Sequence, residues 1–415
     1  VDASGKKGFL LADKKLVSID LASGKVSPVA LQARMQLDRD RERAYLFEHI
    51  WRQTREKFYV KDMHGVDWKM LKEEYAKFLP HIDNNWDFAE MISEMQGELN
   101  ASHTGCRHRP KRPTATKTGS LAFFPDPDHE GPGVKIAEVI PGSPLELAER
   151  DIEPGTIIEA IDGEAIGARE NWYPLLDHKA GQLVRLSLRD PDADEAWEET
   201  FKPLPPRALQ GLLYERWVRG RRADVERLSD GRLGYAHIRG MSDGPYREII
   251  EDIFGLAAGK EGLVLDTRFN GGGNLVEALT VFLSGEQYFE MVPRGRKVGI
   301  SPRGRWTKPS IVVMNEGNYS NAHCFPVAYT SLDIGETVGM QVPGTCTSVW
   351  WERLQDPSLI FGIPQIAHVD NQGDITENKH LDPDHEVDND PALEATGRDQ
   401  QLEKAVEVLL DKLDG

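Results

Sequence analysis

The sequence predicts a multidomain chain of mixed α+β and α/β class. Two patterns carry that expectation: a helical period over residues 38–100, and strand and helix patterns alternating in the part of the chain after residue 204. At 415 residues the chain exceeds one ordinary core, so two to four domains are expected.

Taken in order, residues 8–20 read as a hairpin followed by the turn Ser23-Gly24-Lys25. An isolated hairpin is marginal, so residues 1–30 read as the last strands of a propeller-like domain lying upstream. Residues 31–110 form a helical domain. Leu46, Ile50, Thr54 and Phe58 mark one helix face, Asp67 caps a second helix carrying Trp68, Leu71, Tyr75 and Phe78, and Asn85 precedes a third with Phe88, Met91, Ile92, Met95 and Leu99. Residues 110–118, rich in Pro, Lys, Arg and Thr, read as a linker. In residues 204–415, strands are expected at 234–238, 262–266 and 311–314, with helices at 244–256, 274–283 and 320–331. An amphipathic helix over 400–413 closes this α/β domain.

Composition excludes several classes. With 39% hydrophobic and 28% charged residues the chain is of soluble globular type. A formal net charge of -18 argues against nucleic acid as a partner, since phosphate binding needs a basic surface. No apolar run approaches the ~20 residues of a membrane span. Cys106, Cys324 and Cys346 make no disulfide framework and show no metal-ligand spacing; Cys324, in an apolar helix, reads as a core residue. This leans toward a reducing, cytoplasmic setting, with the periplasm as the alternative. The chain starts at Val1 and reads as an excised fragment, so a missing signal peptide is uninformative.

The chemistry-bearing segments lie far apart. Ser320 sits where a buried strand runs through Asn315-Glu316-Gly317-Asn318-Tyr319 into a helix, a turn that exposes a hydroxyl beside backbone N–H groups. A helix N-cap serine would occupy the same place. Ser102-His103 follows a helical segment in Leu99-Asn100-Ala101-Ser102-His103-Thr104, where an imidazole could take a hydroxyl proton or simply cap the helix. Asp266-Thr267-Arg268-Phe269-Asn270-Gly271-Gly272-Gly273 is a glycine-rich turn between buried strand and helix. It lacks the Gly-Lys-Ser/Thr ending of a phosphate loop.

Residues 111–203 comprise the linker and a block that resembles a PDZ domain of the bacterial protease type. The resemblance rests on Gly133-Val134-Lys135-Ile136-Ala137-Glu138-Val139-Ile140-Pro141-Gly142-Ser143-Pro144 and on Ile152-Glu153-Pro154-Gly155-Thr156-Ile157-Ile158-Glu159-Ala160-Ile161-Asp162-Gly163. It implies peptide binding by strand addition, with Ser120, Leu121, Ala122 and Phe123 as the carboxylate nest, or else a rigid spacer with a degenerate groove.

The order of helical domain, PDZ-like block and α/β domain resembles the C-terminal half of tricorn-type serine proteases, relatives of tail-specific carboxy-terminal processing proteases. The resemblance implies a crotonase-like spiral sheet in the last domain and a homo-oligomer in the full-length protein. It also implies a peptidase that acts on unfolded polypeptides or oligopeptides without metal or other cofactor. Carried onto this chain, it makes Ser320 the nucleophile, His103 the base, and Ser102 the bridge, through its hydroxyl, to Glu377. Gly272 and Asn321 N–H would form the oxyanion hole, with Gly271 the near alternative. His323 departs from the carboxylate usual three residues after the nucleophile; it could pair with Glu377, meet substrate or compete as base, though a packing or surface role is favoured. Two rivals stand beside this reading: a non-catalytic PDZ-containing peptide-binding module, and an acyl-CoA enzyme on the same sheet topology.

Overall fold

The computed structural model describes residues 1–13, 15–30, 36–111, 116–193 and 195–415; the middle of the expected linker, residues 112–115, lies outside that set. The chain opens on an antiparallel sheet of β1 (Lys7–Ala12), β2 (Lys15–Asp20) and β3 (Val26–Pro28). The hairpin pattern extends to a third strand because the turn at Gly24, with φ +69°, lays the chain back on β2.

Three helices follow: α1 (Arg39–Lys57), α2 (Trp68–Ala76) and α3 (Asn85–Gly97). Each start is fixed by a side chain that accepts first-turn N–H groups: Asp38 from Arg41, Asp67 from Met70, and Asn84 from Trp86 and Asp87. The third cap is therefore Asn84, one residue before the expected helix boundary. A short strand, β4 (Cys106–His108), leaves this unit.

The next unit is antiparallel: β5 (Phe123–Pro125), β6 (Val134–Val139), β7 (Ile157–Ile161), β8 (Glu164–Ala165), β9 (Val184–Arg189) and β10 (Trp197–Phe201). Its order is β10-β9-β7-β6-β5, with β8 on β7, so β5 is an edge strand. Leu121, Ile136, Ile158, Leu186 and Leu188 fill its core.

The last unit begins with α4 (Pro206–Leu228), which the strand-and-helix alternation did not anticipate. It continues through β11 (Leu233–His237), α5 (Asp243–Gly255), β12 (Gly262–Asp266), α6 (Val276–Leu283), the hairpin β13 (Phe289–Met291) and β14 (Gly299–Ser301), β15 (Ser310–Met314) and α7 (Asn321–Ser331). Then come β16 (Glu336–Gly339), β17 (Thr347–Arg353), β18 (Leu359–Ala367), β19 (His385–Glu386), α8 (Pro391–Glu394) and α9 (Gln400–Asp414). Strands β11-β12-β15-β16-β19 pair in parallel. Helices α5, α6 and α7 cover one face, α4 and α9 the other. Both faces are dry, so β12 and β15 read as unbroken apolar runs rather than alternating ones.

One pairing joins the first helical unit to the last. The β17–β18 hairpin leaves the parallel sheet and takes β4 as a third antiparallel strand. Leu354, Leu359, Phe361 and Ile363 then enter the core of Leu46, Ile50, Phe88, Ile92, Met95 and Leu99. Each such burial is worth about 2 kcal/mol, so the hairpin is part of the helical core. Among the described residues no helix is long and apolar enough to cross a membrane.

Candidate active site

The β4–β18 pairing is what brings His103 toward Ser320. The chain turns sharply just before β4, with Asn100 at φ +46° and His103 at φ +62°, and delivers the His103 ring to the end of α7. There it lies against Tyr319, ring centroids 4.8 Å apart, and the Tyr319 hydroxyl accepts the His103 N–H at 2.7 Å. Ser320, the next residue, sits at φ +59°, ψ -126° in the turn ahead of α7. Such a backbone conformation is costly for a residue with a side chain, and strained turns of this kind gather at functional sites. Asn318 fixes the turn from inside, donating from Nδ2 to Thr267 Oγ1 at 2.8 Å and to Ala322 O at 3.2 Å.

His103 Nδ1 is 2.7 Å from Ser102 Oγ and 3.2 Å from Thr347 Oγ1. With Nδ1 protonated and so engaged, Nε2 presents its lone pair; it is buried and carries no hydrogen bond among the described residues. Burial holds the imidazole down to about 4, and the Arg107 charge adds to that. The ring is thus neutral at neutral pH.

Glu377 arrives beside Ser102, but not as the resemblance implies. Its Oε1 accepts the Ser102 backbone N–H at 2.5 Å, while the Ser102 hydroxyl turns to His103 and, at 3.3 Å, to Thr347. The main chain, not the hydroxyl, is the donor because Asn378 Nδ2 donates to Asn100 O at 2.7 Å and seats the glutamate under that turn. Glu377 Oε2 is buried without a partner. Burial, and after it the Glu377 charge, keeps the half-buried Tyr59 phenol above its ordinary range.

On the opposite side, Gly272 packs so closely on the Ser320 turn that a Cβ there would lie 2.6 Å from Ser320 Cβ and from Tyr319 O, at φ +92°. Its N–H donates to Asn270 Oδ1 at 2.9 Å. The N–H groups of Gly271 and Asn321 make no hydrogen bond among the described residues, so Gly271 is the freer donor of the pair. Behind this turn, Arg268 is fully buried between Asp266 and Asp399, donating to Asp266 at 2.6 Å and to Asp399 at 2.9 Å, with Tyr235 donating to Asp266 at 2.9 Å. The network anchors the loop at its root.

His323 is wholly buried and belongs to the packing. Its Nδ1 accepts the Thr345 N–H at 3.0 Å, and Thr345 Oγ1 in turn accepts the Ser320 N–H at 3.0 Å. It meets neither Glu377 nor His103. Cys324 is not a free core residue: it forms a disulfide with Cys346, Cα atoms 5.4 Å apart, because residues 344–347 fold back over the first turn of α7. Of the proposed nest, Ala122 has its N–H taken by Ser120 Oγ at 3.1 Å, and Leu121 O accepts from Ser143 Oγ at 2.6 Å.

Sequence reasoning missed Tyr319, Thr345 and Thr347. The first neighbours the candidate nucleophile and could have been weighed with it. Nothing local marks the threonines, whose partners are supplied by residues 22 to 245 positions away.

Two stretches of the chain match known protein families. Residues 39–97 match the Tricorn protease C1 domain, and residues 232–387 match Peptidase family S41. Over residues 232–387 the chain is similar to peptidases of family S41. Its similarity extends to tricorn proteases. Tricorn protease homolog 1 of Streptomyces coelicolor is 29% identical over 378 residues, covering 89% of this chain and 35% of that protein. Tricorn protease of Thermoplasma acidophilum is 26% identical over 434 residues, covering 97% of this chain and 39% of that protein. A solved tricorn protease shares the fold over 100% of this chain and 41% of its own, with TM-score 0.87 at 24% identity. The chain spans less than half the length of these relatives.

Proposed function

We propose that this chain is the peptidase portion of a tricorn-like serine protease that hydrolyses unfolded polypeptides or oligopeptides. The observation that carries the reading is His103 with Nδ1 engaged, a buried and unpartnered Nε2, and its ring on the residue before the strained Ser320. Ser320 Oγ attacks the scissile carbonyl and passes its proton to His103 Nε2. The resulting imidazolium keeps its Nδ1–H on Ser102 Oγ and Thr347 Oγ1. Glu377 fixes the turn through the Ser102 N–H and supplies negative charge nearby. The oxyanion takes the Asn321 N–H and a second donor from the glycine turn, Gly271 or, if Asn270 releases it, Gly272. Each is worth roughly 3 kcal/mol in the transition state. His103 then protonates the leaving amine, and water clears the acyl-enzyme by the same route. A Ser320–His103 hydrogen bond is absent among the described residues; such bonds often tighten only with substrate in place.

The parallel sheet with its diverging β17–β18 hairpin suits a crotonase-like spiral domain, and the antiparallel insert suits a PDZ domain whose edge strand β5 can accept a peptide. Assembly into a homo-oligomer and an upstream propeller belong to this proposal as features of the whole protein; the Cys324–Cys346 disulfide removes the ground for a reducing, cytoplasmic setting and suits the periplasmic alternative better.

The test is labelling with a fluorophosphonate, located by peptide mass spectrometry. Ser320 should be the labelled residue, and Ser320→Ala should lose both label and peptide hydrolysis while keeping its melting temperature, because a half-exposed turn hydroxyl adds little to packing. An unlabelled, folded protein that still retains peptides would instead be a binding module.

A further inference from the structure

The Cys324–Cys346 disulfide lies where the contacts of the two halves of the site meet. Cys324 is on α7, one turn past Ser320. Cys346 stands between Thr345, which accepts the Ser320 N–H at 3.0 Å, and Thr347, whose Oγ1 is 3.2 Å from His103 Nδ1. The segment thus touches nucleophile and base at once, although they come from opposite ends of the chain. Besides the disulfide, the segment is held to α7 and its turn by the Thr345 N–H on His323 and the Ser320 N–H on Thr345. Cys346 is 3% exposed and Cys324 partly buried, so the bond is walled in by the groups it positions.

We propose that the Cys324–Cys346 disulfide is a positioning bond for Ser320 and His103, and that its reduction by a dithiol slows peptide hydrolysis at the level of kcat. This rests on the serine-peptidase reading above. In the reduction, one thiolate of the reagent attacks a cystine sulfur, the S–S bond breaks, and the other protein sulfur leaves as a thiolate that takes a proton. The second reagent thiolate then displaces the first protein sulfur from the mixed disulfide. The protein gains two hydrogens and the reagent becomes a cyclic disulfide. Residues 344–347 are then held to α7 and its turn by the two hydrogen bonds, without the covalent link, and can shift relative to it. A misplacement of about 1 Å in such a site can cost up to ~10²-fold in rate. Substrate-binding surfaces elsewhere are unaffected, so KM should move far less than kcat.

The experiment treats the full chain with dithiothreitol, follows the disulfide by intact mass and thiol alkylation, and measures kcat and KM on a fluorogenic peptide. Reduction should lower kcat by about 10-fold or more with KM within about 2-fold, and re-oxidation should restore the rate. The acid limb of kcat/KM should also rise, because a loosened segment lets water reach His103. Cys324→Ser, Cys346→Ser and the double variant should show the lowered kcat and no response to dithiothreitol; they decide the matter if the native bond resists the reagent. Unchanged kcat in a protein carrying the two added hydrogens, or full kcat in a double variant whose circular dichroism is native, overturns the inference alone. Failure of the fully oxidised protein to take a fluorophosphonate at Ser320 overturns the peptidase reading, and this inference falls with it.

Discussion

Because burial and Arg107 hold His103 down to about 4, the imidazole is a ready but weak proton acceptor at neutral pH. In the proposed mechanism it becomes an effective base when an oxyanion forms beside it. The acid limb of kcat/KM should therefore lie near pH 4 to 5, well below an ordinary histidine, and Arg107→Gln should move it upward. The same depression acts on stability. His103 and the equally depressed His323, each at about 4 against an ordinary 6.5, bind fewer protons folded than unfolded between those values. Their contribution is fully present above about pH 6.5 and is lost as pH falls toward 4, up to roughly 3 kcal/mol each. The two histidines separate under substitution. His103→Ala and His103→Asn should both collapse turnover by ~10²–10⁴-fold. His323→Ala should mainly lower the melting point, costing about 2–4 kcal/mol for the cavity and the orphaned Thr345 N–H. His323→Asn, which can restore an acceptor to Thr345, should recover most of that together with any modest loss of kcat. Ser320 and His103 were legible because their local settings are distinctive. The donor that Glu377 would meet was not, since it depends on a turn held by Asn378 from a remote loop.

Among the elements, β18 carries the heaviest burden: it pairs with β17 and β4, and its inner face completes the helical core. Gly362 in its middle has no room for a side chain. A Cβ there would run into the His103 carbonyl oxygen and lie 2.9 Å from the Trp351 ring. Gly362→Ala should thus cost about 1–3 kcal/mol by overpacking and, unlike an ordinary core defect, should depress kcat by displacing the base; thermal unfolding and steady-state kinetics on one preparation would check both. The buried strands β12 and β15 and the helix α7 were readable from their apolar runs and flanking turns. β4 was not. It is three residues long, and its partner lies more than 250 positions downstream, so no local period announces it.

As a molecule, the chain is a helical unit and a parallel-sheet unit bound through β4 and β18, with an antiparallel insert between them. The insert is docked on α4, where Arg216 pairs with Glu138 at 2.5 Å and its guanidinium lies 5.3 Å from the Phe124 ring centroid. Neither contact touches Ser320 or His103. Deleting residues 118–203 and closing the gap with a flexible linker should consequently weaken processing of long, tail-bearing substrates more than of short peptides. Competition assays with the two classes of substrate read this directly, and equal losses would assign the insert to scaffolding. The α/β character was visible in the alternation of patterns, whereas the exchange of strands between units was invisible to any reading that treats domains as consecutive stretches of chain.

That exchange limits how such an enzyme can be rebuilt. The shared core of Leu46, Ile92, Leu359 and Phe361 makes residues 38–110 and 347–367 a single inheritance. A graft or recombination event that moves His103 must carry the distant hairpin with it, and the Glu377 loop just beyond. The insert between β4 and α4 has no strand in that core, so it is the part of the chain that can be traded for another while the chemistry stays in place.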